Sequence, residues 1–352
     1  MGCIGSRKSE SWEQWYNKEP MMTDKVVAIT GTTSGTGFVL AQAVAKKGGK
    51  VICLNRKSER ADESLKSVKE VAIGPIPVAI DCDLMSFEST RKAGEKLAKE
   101  YGAEGIDVLV NNAGIMGFKD VATEDGYDQQ MQTNHLSHFL LTYLCMPALE
   151  TAAKKRGEAR IVNHSSAARC MKDMENKLDA KYLDRNGGNL GGDSTEMFAG
   201  PQFQRYQQTK LANVCFTYAL EKKLAAKGSK IKALVAHPGV SLDTKLMVHT
   251  FEPDKGGVTP LPVPTCLLKR VLGTQSREDA TIGILYCTCD PDAKSGEFFG
   301  PLGKGGATLE HDTTEYSGPV GLLKREETLG DQAAQDTCWT MSEKATGIKF
   351  NI

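Results

Sequence analysis

Val26-Val27-Ala28-Ile29-Thr30-Gly31-Thr32-Thr33-Ser34-Gly35-Thr36-Gly37 is the stretch that decides the fold. Its apolar start reads as a buried strand, and Phe38 to Lys47 behind it reads as a helix. Three glycines at the crossing remove Cβ atoms, so the chain can turn tightly. A pyrophosphate can then approach main-chain N–H groups and the positive end of the helix dipole. The stretch predicts a dinucleotide site, with Gly31, Thr33, Ser34, Gly35, Thr36 and Gly37 as contact residues. Its G-x-x-x-G-x-G spacing differs from G-x-G-x-x-G, and it lacks the Lys-Ser/Thr pair of a phosphate P-loop. A tight turn without a ligand is the competing reading.

Strand-like runs continue outward at Val51 to Asn55, Pro77 to Cys82, Ile106 to Asn111, Arg160 to Asn163 and Ile231 to Ala236. Segments of helical period such as Glu59 to Val71 and Phe87 to Tyr101 separate them. Alternation of this kind calls for parallel crossovers, and the predicted fold class is α/β: a single doubly wound, Rossmann-type parallel sheet with helices on both faces. Ligands of such a sheet lie beyond the carboxyl ends of the strands.

The residues at those ends are informative. After the second strand stands Arg56, with no carboxylate at the strand end, which favours NADP(H) over NAD; the alternative is an arginine that opens a helix in solvent. Asp83 and Leu84 follow the third strand, where an adenine would lie, although Asp83 equally suits a helix cap near Ser86. The fourth strand ends in Asn111-Asn112-Ala113-Gly114, a turn whose backbone suits close contact with a cofactor.

Taken with Tyr206-Gln207-Gln208-Thr209-Lys210, the order T-G-x-x-x-G-x-G, N-N-A-G, Y-x-x-x-K resembles the short-chain dehydrogenase/reductase family from about Lys25 to Glu297. Asn134 to Leu141 and Lys210-Leu211-Ala212-Asn213-Val214 resemble its retinol-dehydrogenase-like branch, to which WW-domain oxidoreductases and light-dependent protochlorophyllide reductases are related. Trp339 to Gly347 is similar to the tail of members of that group. The resemblance implies a lipophilic alcohol or carbonyl substrate and a catalytic set of Asn134, Ser166, Tyr206 and Lys210, with Ser165 as the alternative hydroxyl. Tyr206 and Lys210 are also expected to contact the cofactor. Pro238, Gly239, Val240 and Thr244 would meet the nicotinamide. Tyr206 and Lys210 share a helix face, and an ammonium beside a phenol, whose usual pKa is about 10, is expected to lower it. His164 and His237 are expected to be satisfied structural residues, and no metal is expected even at the His135/His138 pair.

Lys+Arg and Asp+Glu are equal at 44 each, so no global field favours nucleic acid, and none is expected as a partner. Ten cysteines without C-x-x-C spacing read as reduced thiols. No run has the length of a bilayer span, and the start lacks the apolar core of a signal peptide. Met1-Gly2-Cys3-Ile4-Gly5-Ser6 instead fits M-G-x-x-x-[ST], followed by Arg7 and Lys8. Myristate on Gly2 and palmitate on Cys3 would give stable attachment at the cytoplasmic face of a membrane; without acylation the protein would be cytosolic.

The expected organisation is a tail over 1–22, a catalytic domain over 23–300 and an extension over 301–352. Within the tail, Trp12, Trp15 and Tyr16 fall on one helical face, for docking on the domain or on lipid. An insertion over 167–202 carries the glycine-dense Asn186 to Asp193, expected as a mobile excursion and substrate lid; 240–272 is a second candidate cover. Pairing into a homodimer is expected through the helices bearing Asn134 and Tyr206. The leading reading is an NADP(H)-dependent oxidoreductase for a small lipophilic substrate. A sensor or scaffold that binds NADP(H) without turnover, and a light-dependent tetrapyrrole reductase, are the alternatives.

Overall fold

Val26–Thr30 forms β1, and its side chains alternate between two separate cores: Val26 and Ala28 face one, Val27 and Ile29 the other. A strand apolar on both faces must lie in a sheet covered on both sides. The computed structural model describes residues 10–170, 177–186, 188–194, 199–241, 274–302, 317–323 and 331–352. In it β1 is joined by β2 (Lys50–Asn55), β3 (Val78–Asp81), β4 (Val108–Asn111), β5 (Ala159–His164), β6 (Ile231–Ala236), β7 (Phe298–Pro301) and β8 (Val320–Leu322). The sheet order is β3-β2-β1-β4-β5-β6-β7-β8, parallel throughout except for β8, which runs antiparallel to β7. The order reverses between β1 and β4, and a crevice opens there at the carboxyl ends.

The core shared by Val27 and Ile29 takes residues of α1 (Glu10–Lys18), α2 (Gly35–Lys46), α3 (Glu59–Glu70) and α8 (Ile282–Cys289). The opposite core takes α4 (Phe87–Tyr101), the single turn α5 (Gln129–Met131), α6 (Ser137–Arg156), α7 (Gly200–Ala226) and α9 (Gln332–Thr346). Ser58, Ser86 and Asp331 cap α3, α4 and α9 by accepting from backbone N–H groups, so Ser86 and not Asp83 is the cap of α4.

Two strands beyond the six expected extend the sheet. Phe298–Pro301 and Val320–Leu322 are too short to announce themselves by periodicity, and they pair because the edge of β6 is open. The chain past Gly300, expected as an appended tail, thus supplies β8 and α9. Trp339 stacks on Phe350 at 5.1 Å and meets Phe139 of α6 edge-on at 5.3 Å. Cys338 Sγ donates to Ala212 O of α7 at 3.4 Å. The chain's own α9 thus packs on α6 and α7. At the other end, Trp12 is buried and stacks on Tyr16 at 5.7 Å, and Trp15 packs on Tyr286 at 5.6 Å. The aromatic face of α1 is docked on the domain. Gly2 and Cys3 lie outside the described residues.

Candidate active site

The turn after β1 works by close approach. Gly31 has φ of +72°, and a Cβ there would stand 2.8 Å from Ala113 Cα; a Cβ on Gly37 would come within 2.3 Å of Gly31 O. Thr32 is held by Asn55, whose Oδ1 accepts from Thr32 N at 2.8 Å and whose Nδ2 donates to Thr32 Oγ1 at 2.7 Å. Thr30 Oγ1 accepts from the N–H groups of Asn112 and Ala113, each at 3.0 Å, and locks the β1 and β4 turns together. Gly31, Thr33, Ser34, Gly35 and Thr36 line a cavity of about 1000 Å³ onto which the N-terminus of α2 opens. Gly37 does not line it. It lets α2 start against Gly31, an approach that a Cβ would block.

Arg56, Asp83, Leu84, Asn112, Ala113, Gly114, Pro238, Gly239 and Val240 line the same cavity, whereas Thr244 lies outside the described residues. Ser58, at the N-cap of α3, and Arg60 line the cavity beside Arg56, and neither is among the residues expected from the sequence.

At the far end α7 presents Tyr206 and Lys210 from one face. Lys210 Nζ donates to His164 O at 3.0 Å and sits 5.7 Å from the Tyr206 ring centroid. Ser166 stands close enough to the Tyr206 hydroxyl to pull its pKa down, while Ser165 Oγ turns away and donates to Lys210 O at 2.8 Å. Geometry therefore places Ser166, not Ser165, at the phenol. Asn134 lies in a π-helical turn, Gln132–Leu136, just before α6, a local widening of the helix often found at functional sites. Its Oδ1 accepts from Ile115 N at 2.8 Å, and its Nδ2 donates to Ile115 O and Thr209 Oγ1, both at 2.9 Å. A Cβ on Gly114 would lie 3.2 Å from Asn134 Oδ1 and 3.3 Å from Lys210 Nζ, so a glycine is what lets these two groups converge.

Burial governs the electrostatics. The Tyr206 phenol is pushed up to about 12 by burial, only partly offset by Ser166, and burial brings the Lys210 ammonium down to about 8. In the protein alone, then, Lys210 does not lower the phenol as expected; desolvation outweighs it. His135 pairs with Asn213 Oδ1 and Ser342 Oγ, and His138 with Asn134 O and Thr30 Oγ1. These rings are structural, and burial lowers both pKa values, to about 3 and about 4. No cluster of three or more metal-ligating side chains occurs among the described residues.

The described residues of the glycine-dense segment are tied to the domain by hydrogen bonds. Asp120 Oδ2 accepts from Leu190 N at 2.8 Å and Gly192 N at 2.7 Å, and buried Arg205 donates to Gly192 O at 2.6 Å. Of the insertion's described residues only Ala167 and Ala168 line the cavity, and of 240–272 only Val240 and Ser241 are described, both of which line it.

The chain is similar to known proteins. The family model described as short chain dehydrogenase matches residues 25–177. Polyprenol dehydrogenase of Homo sapiens is 32% identical over 332 residues, covering 94% of this chain and 87% of that protein. Retinol dehydrogenase 13 of Homo sapiens is 34% identical over 226 residues, which span 64% of this chain and 61% of that protein. The crystal structure of an uncharacterized protein from Mycobacterium Paratuberculosis superposes with a TM-score of 0.69 at 26% identity, covering 96% of this chain and 98% of that one. With the glycine turn, the Asn-Asn-Ala-Gly turn and the Ser166, Tyr206 and Lys210 group lining one cavity, the chain belongs to the short-chain dehydrogenase/reductase family of oxidoreductases, in its retinol-dehydrogenase-like branch.

Proposed function

We propose that this protein is an NADP(H)-dependent oxidoreductase that interconverts a lipophilic alcohol and its aldehyde or ketone. The observation that carries the reading is the convergence of Ser166, Tyr206 and Lys210 on the cavity that also holds Arg56 and Arg60. The glycine turn fits a pyrophosphate, since Gly31, Gly35 and the N-terminus of α2 line the cavity and offer backbone N–H groups to an anion. A bound nicotinamide nucleotide supplies or accepts hydride. Tyr206 gives a proton to the substrate oxygen in reduction and takes it back in oxidation. Ser166 donates to that oxygen as negative charge develops, and Lys210, held by His164 O, supplies positive charge at the phenol. Ile115, Met116, Phe118 and Phe203 give the reacting end a greasy wall. Polyprenol and retinol, the substrates in the relatives' names, are lipophilic alcohols.

The preference for NADP(H) rests on Arg56 and Arg60 beside the Ser58 cap, an anion site that matches a 2′-phosphate. The doubly substituted R56A/R60A protein should lose about 10- to 100-fold in kcat/KM with NADPH, by the worth of two charge-assisted hydrogen bonds. With NADH it should change little. Steady-state kinetics with both nucleotides on a panel of aldehydes, ketones and alcohols tests this; an unaltered NADPH/NADH ratio would refute the assignment.

The same reading places the enzyme at a membrane through acylation of Gly2 and Cys3. Two adjacent chains hold a protein stably where one does not. Among the described residues no helix is long and apolar enough to cross a membrane. Intact mass of the protein made in eukaryotic cells should show both acyl groups; an unmodified Gly2 would end the proposal.

A further inference from the structure

The C-terminal helix α9 reaches the catalytic end of the protein through a buried chain of hydrogen bonds. Its links run from Ser342 of α9 through His135 of the π-helical turn and Asn213 of α7 to the carbonyl of His164, where Lys210 also ends. Each link has one direction. Asn213 Nδ2 donates to His164 O at 3.1 Å, because the amide turned over would set two oxygens against each other. Its Oδ1 is thereby presented to His135 Nδ1 at 3.3 Å, so Nδ1 carries the hydrogen and Nε2 is an acceptor. Ser342 Oγ, 2.8 Å from Nε2, supplies the donor; Cys338 Sγ lies farther off at 3.5 Å and donates to Ala212 O. Burial holds the ring's pKa down at about 3, so this tautomer persists across the physiological range.

The consequence falls on Lys210. Asn213 follows it on the same helix, and both donate to the one carbonyl. An ammonium carries three hydrogens. Among the described residues Lys210 gives one to His164 O, and its side chain lines the cavity. The ionisable groups that face it are the Tyr206 phenol of α7, the His164 ring of β5 and the His138 ring of α6. Burial keeps all three uncharged, so no anion among them competes for the ammonium. The Asn213 amide can compete. Turned over, it would offer its oxygen to a second hydrogen of Lys210 and draw the ammonium off the cavity. We propose that Ser342 and His135 are positioning residues for Lys210, which hold the Asn213 oxygen away from the ammonium and so leave its other hydrogens to the cavity. This rests on the reading of Lys210 as the cation that serves the Tyr206 phenol. On this account α9 belongs to the catalytic apparatus without touching a ligand.

The test is an NMR titration of the lysine ε-carbons in the full chain, with the Lys210 signal assigned by its loss in K210M. H135L frees the Asn213 amide and should raise the Lys210 midpoint by about one pH unit, the worth of a hydrogen bond added to a charged group. S342A, which removes only the donor that fixes the tautomer, should raise it by less. H135Q keeps a donor and an acceptor on one planar group and should return the midpoint to wild type. F350L loosens the packing around α9 without touching the chain of bonds, and should leave it unmoved. With NADPH and retinaldehyde, kcat should fall about 10-fold in H135L and recover in H135Q, while the Kd of NADPH stays within a few-fold. A midpoint unmoved or lowered in H135L, moved equally by F350L, or not restored by H135Q would overturn the proposal. Should H135L fail to fold, S342A decides in its place; a rise in H135L without one in S342A would overturn the part assigned to α9. Midpoints that moved as stated in a protein that turned over no alcohol or carbonyl would support the hold on Lys210 and overturn the oxidoreductase reading instead.

Discussion

Tyr206→Phe should lower kcat by about 10²- to 10⁴-fold, the usual worth of a positioned general acid or base, while the Kd of NADPH stays within a few-fold of wild type. The hydroxyl removed is the group that exchanges a proton with the substrate oxygen, and the ring left behind still fills its buried place at the cavity wall. The pH dependence has a definite sign. Burial holds the phenol protonated to about 12 in the protein alone, the form required for reduction, so carbonyl reduction should persist at neutral pH and fall only as alkali removes that proton. Alcohol oxidation needs the phenolate and should rise with pH. Its limb should lie lower than the reductive one, because the oxidised ring is cationic and favours the phenolate. Lys210, brought down to about 8 by burial, loses its own charge over the same range; Lys210→Met should therefore push the oxidative limb upward. Steady-state rates in both directions from pH 6 to 10 check this. A Tyr206→Phe protein that retained more than a tenth of wild-type turnover would remove the phenol from the mechanism.

Arg205→Met should destabilise the protein by about 3–5 kcal/mol, the usual consequence of removing one partner from a buried ion cluster. The guanidinium is fully buried, with Nε 3.4 Å from Asp128 Oδ2, Nη1 3.7 Å from Asp120 Oδ2 and Nη2 2.9 Å from Asp193 Oδ1. It also donates to the carbonyls of Gly192 and Phe118. Methionine fills the volume but leaves the Asp128 and Asp120 carboxylates facing each other without a cation. Arg205→Lys keeps the charge without the fork that reaches both carbonyls, and should recover only part of the loss. Burial already raises the Asp128 carboxyl to about 6 against the pull of Arg205. Without that pull its pKa climbs further, so the unfolded state gives up a proton that the folded state keeps, and the deficit should widen between pH 5 and 8. Urea unfolding at those two pH values measures both effects; a loss below about 1 kcal/mol, the range of exposed ion pairs, would mean that the cluster contributes little.

Arg205 also shows what composition does not carry. Asn186 to Asp193 is rich in glycine, and glycine density in isolation signals freedom. The partners that bond this segment, Asp120 and Arg205, are distant in the chain, and no local pattern announces them. Arg56 and Tyr206 are the contrary case. A strand end and an i, i+4 spacing are local, so the sequence alone carries the consequence that both lie at the carboxyl side of the sheet.

What the sequence by itself determined is whatever depends on neighbours within one element or one turn: the doubly wound class, the glycine cradle, the Tyr206 and Lys210 face and the order of the cofactor turns. Tertiary structure alone decided the rest. It set Ser166 rather than Ser165 beside the phenol, packed Gly37 against Gly31 and laid α9 across α6 and α7. The physical reason is range. Periodicity and turn chemistry act over a few residues and can be read in order, whereas hydrogen-bond satisfaction and burial are settled by groups that meet only after the chain has folded.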